Sequence, residues 1–306
     1  FGFQSFPSVK TLETVTDDPR ELNPFSYVME KHQRNYGGNG KIAKYMQAAY
    51  RYPENFSDFV YASQLLQADG IRYGVEHYRR NRGRCMGAIY WQLNDCWPVI
   101  SWSSIDYYGR WKALHYYAKR FFAPVMLSCE EQSWMTVEAD MNRQHFEFEK
   151  SIRLNVTNET LDAHRVLGKW AVRKTDATIL REEEQWLEVP ALSAVWMDKV
   201  ELPQIDCFNE YVSYEAWEND QIISQGTVIF SYPKYFHYLN PGLAVRVDGD
   251  EVVVKAEAYA KSVEIRNEND DLILEDNYFD MNAGEYRVKI LDGKPDGLKV
   301  RSVYDI

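Results

Sequence analysis

The stretch Met86–Gly87–Ala88–Ile89–Tyr90–Trp91–Gln92–Leu93 is nearly continuous in apolar character, and it constrains the fold more than any other segment. An alternating strand buries one face; a run without alternation reads as a strand covered on both faces, as in a parallel sheet between helices. The flanks supply the helices. Before the run, Phe59, Ala62, Leu65, Leu66, Ala68, Ile71 and Val75 recur at helical spacing, from an N-cap at Ser57 to about Arg80. After it, beyond Trp97–Pro98 and Gly109, a second helix is predicted from about Trp111 to Phe122, stopped by Pro124. Helix, buried strand, helix is an α/β order. One strand is not a sheet, however, and a (β/α)8 barrel takes about 250 residues. Residues 1–124 are therefore expected to be the last part of a (β/α)8 barrel, its other strands lying upstream in a longer polypeptide. The opening Phe1–Gly2–Phe3–Gln4 agrees, resembling neither a signal peptide nor an initiation site.

Residues 1–56 read as largely irregular, punctuated by Pro7, Asp17–Asp18–Pro19, Asn23–Pro24 and Gly37–Gly38–Asn39–Gly40, with a short helix over roughly Lys41–Arg51. Beyond Pro124 the texture changes. Ile152, Leu154 and Val156 alternate with polar residues, and similar runs follow at 167–173, 179–189, 194–201, 211–217 and 222–231. This spacing predicts an immunoglobulin-like β-sandwich over 125–233. Past a linker reaching Asn240–Pro241–Gly242, runs at 243–247, 251–257, 263–267, 272–274, 285–291 and 298–303 predict a smaller carboxyl-terminal sandwich over 234–306. Asp248–Gly249 is its hairpin signal. The expected fold class is thus α/β plus all-β: the terminal part of a barrel followed by two immunoglobulin-like sandwiches.

Charge divides the chain at the same place. Residues 1–124 carry 16 Lys and Arg against 11 Asp and Glu, whereas residues 125–306 carry 19 against 35. A net charge of -11 argues against a nucleic-acid partner, since phosphates need a basic surface. No apolar run approaches the length of a membrane span. Cys85, Cys96, Cys129 and Cys207 include no C-x-x-C, and Cys85 and Cys96 bracket an extended run spanning on the order of 36 Å, too far for a disulfide. Free thiols fit a reducing, cytoplasmic compartment. No His, Cys and Asp grouping has metal-ligand spacing, so neither a metal nor another cofactor is expected. The cations of Arg79–Arg80–Asn81–Arg82–Gly83–Arg84 read as the end of a helix, where they complement its dipole.

The densest chemistry follows the apolar run. Trp91, Gln92, Asn94, Asp95 and Trp97 would cluster at the carboxyl end of the strand, where barrel enzymes build their sites. An indole stacks on the C–H face of a sugar ring, and Asp, Asn and Gln hold pairs of hydroxyls. Trp97, like Trp102 and Trp111, is equally suited to packing helices. Asp95 and Asp106 are the only acids in this constellation, and Asp95 reads as a hydroxyl or loop anchor rather than half of a catalytic pair.

Three segments carry a resemblance: Phe1–Gly2–Phe3–Gln4–Ser5–Phe6–Pro7, Tyr90–Trp91–Gln92–Leu93–Asn94–Asp95–Cys96–Trp97–Pro98, and Ser101–Trp102–Ser103–Ser104–Ile105–Asp106–Tyr107–Tyr108–Gly109–Arg110–Trp111–Lys112. They closely resemble segments of the glycoside hydrolase family 2 β-mannosidases, as does Ser63–Gln64–Leu65–Leu66–Gln67–Ala68–Asp69–Gly70–Ile71; Asp276–Asn277–Tyr278–Phe279–Asp280 is similar to the family's terminal sandwich. The resemblance implies a retaining exo-glycosidase that releases terminal β-D-mannose. Its nucleophilic Glu would stand immediately before Phe1, and its acid/base Glu further upstream. No catalytic residue is then expected in this chain, which alone would not turn over substrate. The resemblance also places Trp91 against the mannosyl ring, Gln4 in the loop after the nucleophile and His32, of His32–Gln33–Arg34–Asn35, near the pocket mouth. Mannosides or manno-oligosaccharides and the upstream part of the same polypeptide are the implied partners, with oligomerisation left open. An exo-β-glucosaminidase or other family 2 fragment, and a non-catalytic carbohydrate-binding sandwich protein, are the competing readings.

Overall fold

A computed structural model describes residues 1–136 and 148–306. Five α-helices precede the strands: α1 (Val9–Leu12), α2 (Tyr27–Lys31), α3 (Gly38–Ala49), α4 (Phe56–Arg80) and α5 (Ala113–Phe121). Their packing, with that of the strands, gathers the chain into two compact units.

One unit comprises residues 74–88 and 120–239. Its strands are β1 (Val125–Gln132), β2 (Ser151–Asn158), β3 (His164–Lys174), β4 (Ile179–Val189), β5 (Ser193–Trp196), β6 (Val200–Glu201), β7 (Glu210–Glu218) and β8 (Gln221–Ile229). Strands β1, β2 and β5 pair in that order with β6 also on β2, and β4, β3, β7 and β8 form the second antiparallel sheet. Leu127, Cys129, Ile152, Leu154 and Val156 from the first sheet meet Val166, Trp170, Val172, Val212 and Tyr214 from the second. This is the sandwich that the alternation predicted. The run expected at 194–201 is divided into β5 and β6, and β1 is an addition, its apolar positions interrupted by Ser128 and Glu130. The arginines at the end of α4 do more than face its dipole. Arg79 donates to the Phe121 carbonyl at 2.7 Å, Arg80 to that of Cys129 at 3.3 Å, and Arg82 pairs with Glu159 at 3.0 Å. Burial lowers the Arg79 pKa, against the pull of Glu159 and Glu76.

The other unit comprises residues 1–73, 89–119 and 240–306. Its strands are β9 (Ala244–Asp248), β10 (Glu251–Ala256), β11 (Ala260–Arg266), β12 (Ile273–Leu274), β13 (Phe279–Met281), β14 (Gly284–Asp292) and β15 (Lys299–Arg301). One sheet runs β12-β14-β10-β9 and the other β13-β11-β15, with Val252, Val254, Val263, Ile265, Phe279 and Val288 between them. Asp248–Gly249 makes the expected hairpin, Gly249 at φ 66° between β9 and β10. This small sandwich sits on α4 through polar contacts. The Tyr61 hydroxyl donates to the Ser262 carbonyl at 2.6 Å, and the Arg301 guanidinium lies 4.3 Å over the Tyr61 ring, 3.0 Å from Asp58 and against Glu264. Burial disfavours the Arg301 charge, but Glu264 outweighs it and raises the pKa.

Two expectations are corrected. The N-cap of α4 is Asn55 rather than Ser57: its carbonyl accepts from Phe59 N at 3.1 Å and its Oδ1 from Asp58 N at 2.9 Å. Ser57 instead accepts from Arg301 at 3.1 Å. Nor is the apolar run 86–93 a buried strand. Met86 is 70% exposed and Ile89 85%, and no strand forms among residues 1–124. A strand needs hydrogen-bonding neighbours along its length, and over residues 86–91 the backbone bonds run to the first residue. The Phe1 amino group donates to the Ile89 carbonyl at 3.1 Å and Trp91 N to the Phe1 carbonyl at 2.8 Å, straddling Tyr90 as neighbouring parallel strands do.

In the extended residues 3–6, Phe3 and Phe6 have backbone groups answered by side chains of α4. Gln67 donates to the Phe3 carbonyl at 2.8 Å and accepts from the Ser5 hydroxyl at 2.7 Å; Ser63 accepts from Phe6 N at 3.1 Å, and Gln64 donates to the Phe6 carbonyl at 3.1 Å. Replacing Gln67, itself fully buried, leaves a buried hydroxyl and a carbonyl without these partners. Gln67→Leu is expected to lose roughly 2–3 kcal/mol in urea unfolding, whereas an unchanged midpoint would show that these bonds are not needed.

Candidate functional site

The segment after residue 90 is held from both sides. Gln92 N donates to the Trp102 carbonyl at 3.1 Å, Ser104 N to the Gln92 carbonyl at 3.0 Å, and Ser5 N to the Ser101 carbonyl at 3.0 Å. Gly2 is needed for this closeness: a Cβ there would lie 2.5 Å from the Trp91 carbonyl oxygen and 3.0 Å from the Trp102 ring. The Trp91–Gln92 peptide is cis. Beside it the Trp91 side chain projects outward, 63% exposed, an unusual display for the largest aromatic.

Behind the indole lies a polar knot. The Gln92 amide donates to Asp95 Oδ1 at 2.9 Å and to the Asn94 carbonyl at 3.0 Å, and the Ser101 hydroxyl donates to Asp95 Oδ2 at 2.7 Å. Both oxygens of Asp95 are therefore engaged in shaping the loop, as its reading as an anchor anticipates. Asn94 stays exposed at the rim. Gln4 is buried in a second amide chain: it donates to Gln33 at 2.6 Å, Gln33 donates to Asn39 at 2.6 Å, and Asn35 donates to Gln4 at 3.5 Å. His32 and Trp97 form a third group, their rings 5.0 Å apart and tilted by 32°, with His32 Nδ1 2.6 Å from the Pro98 carbonyl. The three groups join along one segment, because Ile100 N donates to the His32 carbonyl at 2.6 Å and Arg34 N to that of Ile100 at 3.2 Å. Trp91, Gln92, Asn94, Asp95, Trp97, Gln4 and His32 thus lie in or next to one connected loop cluster.

Asp106 is not part of an acid pair. Its Oδ1 accepts from Tyr108 N at 2.9 Å and Arg110 N at 3.0 Å, and its Oδ2 accepts from the Thr11 hydroxyl, so it anchors the turn that Gly109 completes at φ 84°. The cluster can hold a ring by its apolar face and offer amides to hydroxyls. Neither of its carboxylates is free for proton transfer or attack.

Sequence reasoning assigned no role to Ser101, Gln33, Asn35 or Lys112. The signal for Lys112 is a lone cation between Trp111 and Ala113–Leu114. It is fully buried, its Nζ 3.4 Å from the Ser5 carbonyl and 3.5 Å from that of Ser101, under the very pair that joins the two segments. Desolvation lowers its pKa to about 7, in spite of the attraction of Asp95 and Asp106. Among the described residues no three His, Cys, Asp or Glu side chains are grouped to hold a metal ion, and no helix is long and apolar enough to cross a membrane.

Comparison with known proteins adds independent lines. Residues 150–235 match the family profile described as a mannosidase Ig/CBM-like domain, and residues 238–306 match an Ig-fold domain profile. The chain is 30% identical to "Beta-mannosidase B" of Thermothelomyces thermophilus over 332 aligned positions, covering 99% of this chain and 38% of that protein. It is 38% identical to "Beta-mannosidase" of Capra hircus over 139 positions, covering 41% of this chain and 16% of that protein. Among solved structures, the β-D-mannosidase of Dictyoglomus thermophilum superposes with a TM-score of 0.83 at 24% identity, over 99% of this chain and 36% of that one. The exo-chitosanase CsxA of Amycolatopsis orientalis superposes with a TM-score of 0.67 at 16% identity, over 98% of this chain and 41% of that one. Both likenesses speak to the fold. The chain spans well under half the length of these relatives.

Lys112 makes stability depend on pH in a defined direction. With a folded-state pKa of about 7 against 10.5 as the ordinary value, the unfolded chain binds the extra proton between these limits, so the lysine's contribution to stability rises with pH across that window. Urea unfolding of the wild type and Lys112→Met is expected to shift by roughly 2–4 kcal/mol in favour of the wild type between about pH 6 and about pH 10. Parallel pH profiles would refute a depressed lysine.

Proposed function

Because the chain belongs to the glycoside hydrolase family 2 β-mannosidases and corresponds to their carboxyl-terminal portion, we propose that it builds one wall of the pocket in which a retaining exo-β-mannosidase holds a terminal, non-reducing β-D-mannosyl ring. The observation that carries this reading is the Trp91 indole, displayed beside the Gln92–Asp95–Ser101 knot. Its face takes the C–H side of a pyranose and favours the positive charge that develops in an oxocarbenium-like transition state. In this reading the exposed Asn94 supplies an amide, the buried Gln4 positions its neighbours through Gln33 and Asn35, Asp95 sets the shape of the loop, and His32 and Trp97 border the mouth.

Retaining chemistry requires two carboxylates about 5–5.5 Å apart. Asp95 and Asp106 are committed to loop contacts, so in this reading the nucleophile and the acid/base come from residues outside these 306, and the isolated chain is inactive. The same outside residues would supply the strand neighbours that 86–93 lacks, making residues 1–124 the closing part of a (β/α)8 barrel. The fold likeness to the exo-chitosanase keeps β-glucosaminides in the substrate panel.

Two measurements test the reading. The isolated chain is expected to release no p-nitrophenol from p-nitrophenyl β-D-mannopyranoside; turnover at the rate of a full-length relative would end the proposal. In the longer polypeptide containing this chain, Trp91→Ala is expected to lower kcat/KM for the mannoside about 100-fold. A larger kcat/KM for the β-glucosaminide than for the β-mannoside in the unmutated protein would move the assignment to the neighbouring specificity.

A further inference from the structure

A cleft of about 590 Å³, lined by the 108–111 turn, α4 and the ends of the small sandwich, shares no residue with the Trp91 cluster. We propose that it binds a neutral polyhydroxylated ring, a pyranose, with Asp270 and Arg110 holding hydroxyls and Trp111 forming the apolar wall. The volume falls in the range of small-molecule sites.

The charges in the cleft select this chemistry. Glu264 is matched by Arg301, Asp271 accepts from Asn267 at 2.6 Å, and Asp292 accepts from Gly293 N at 2.8 Å. The carboxylate of Asp270 accepts no hydrogen bond among the described residues, although it lies largely out of water. Burial raises its pKa, as does Glu264, while Arg266, Arg110 and Arg301 oppose the rise. An acceptor in such a place gains most from a hydroxyl donor. Arg110 donates to the Asn269 carbonyl at 3.3 Å and to Thr11 at 3.2 Å, and has further N–H groups to offer. An anion would sit against Asp270 and Glu264, and a metal ion against three guanidiniums. A ligand that both donates and accepts, without charge, meets neither objection. Trp111, half-buried, adds the flat apolar surface that a sugar ring needs.

The inference concerns binding and does not depend on turnover. Its test is saturation-transfer NMR and titration calorimetry of the full chain with methyl β-D-mannopyranoside and methyl α-D-glucopyranoside. Asp270 has φ 51°, a conformation Asn adopts readily, so Asp270→Asn removes the acceptor charge without straining the backbone. Trp111→Leu is the second variant, and Trp91→Ala reports on the other cluster. Saturable binding of either glycoside is expected, weakened at least 10-fold by Asp270→Asn or Trp111→Leu and retained in Trp91→Ala. Absence of saturable binding, or binding lost only in Trp91→Ala, would overturn the proposal.

Discussion

A backbone that runs extended without a sheet beside it still has to find partners for its N–H and C=O groups, and this requirement organises the first hundred residues. Phe3 and Phe6 find them on one helix, and Ser5 finds them on Ser101 and Lys112. Ser63, Gln64 and Gln67 lie buried on α4, where apolar residues would be the ordinary choice, and their hydrogen bonds replace a ladder. Phe6 and Phe59 close the same face edge to face at 5.3 Å, so polar satisfaction and packing support one another. The path of residues 1–6 in turn decides where Gly2 touches Trp91 and where Ser5 meets Ser101.

The loop cluster follows from that placement. Amides and carbonyls from residues 4, 32–35 and 92–101 interlock, and the buried Lys112 draws the Ser5 and Ser101 carbonyls together from below. An ammonium kept from water strains its own ionisation, which is why the pKa falls. Above this framework Trp91 is left 63% exposed among the described residues. The proposed stacking of a sugar ring rests on this exposure.

Much of this was legible in one dimension. Alternation in residues 152–156 and beyond locates both sandwiches, because successive side chains of a strand point to opposite faces and one face packs in the apolar core. The turn at Asp248–Gly249 was readable because few residues adopt φ above zero. Asp95 was expected among the sugar-binding residues, as a hydroxyl or loop anchor; donors from Gln92 and Ser101 on its two oxygens place it in the loop. Other features resisted. Asn55 and Ser57 are both good caps, and in the fold Asn55 caps the helix while the Ser57 hydroxyl accepts from Arg301 and Arg266. The apolar run 86–93 has the composition of a covered strand, yet composition does not supply neighbours, and in this chain it stays extended and exposed. Nor does periodicity mark Gln64 and Gln67 of α4 as buried, because the carbonyls they serve lie about 60 residues away in sequence.

Local pattern therefore determined the longer helices and most strands of the two sandwiches, since periodicity and turn chemistry act between near neighbours in sequence. Tertiary structure alone decided which polar groups are spent holding the fold and which are not. Asp95, Asp106 and Asp270 are alike as letters, but two have donors on both oxygens and the third has none, because hydrogen-bond partners arrive from residues far away along the chain.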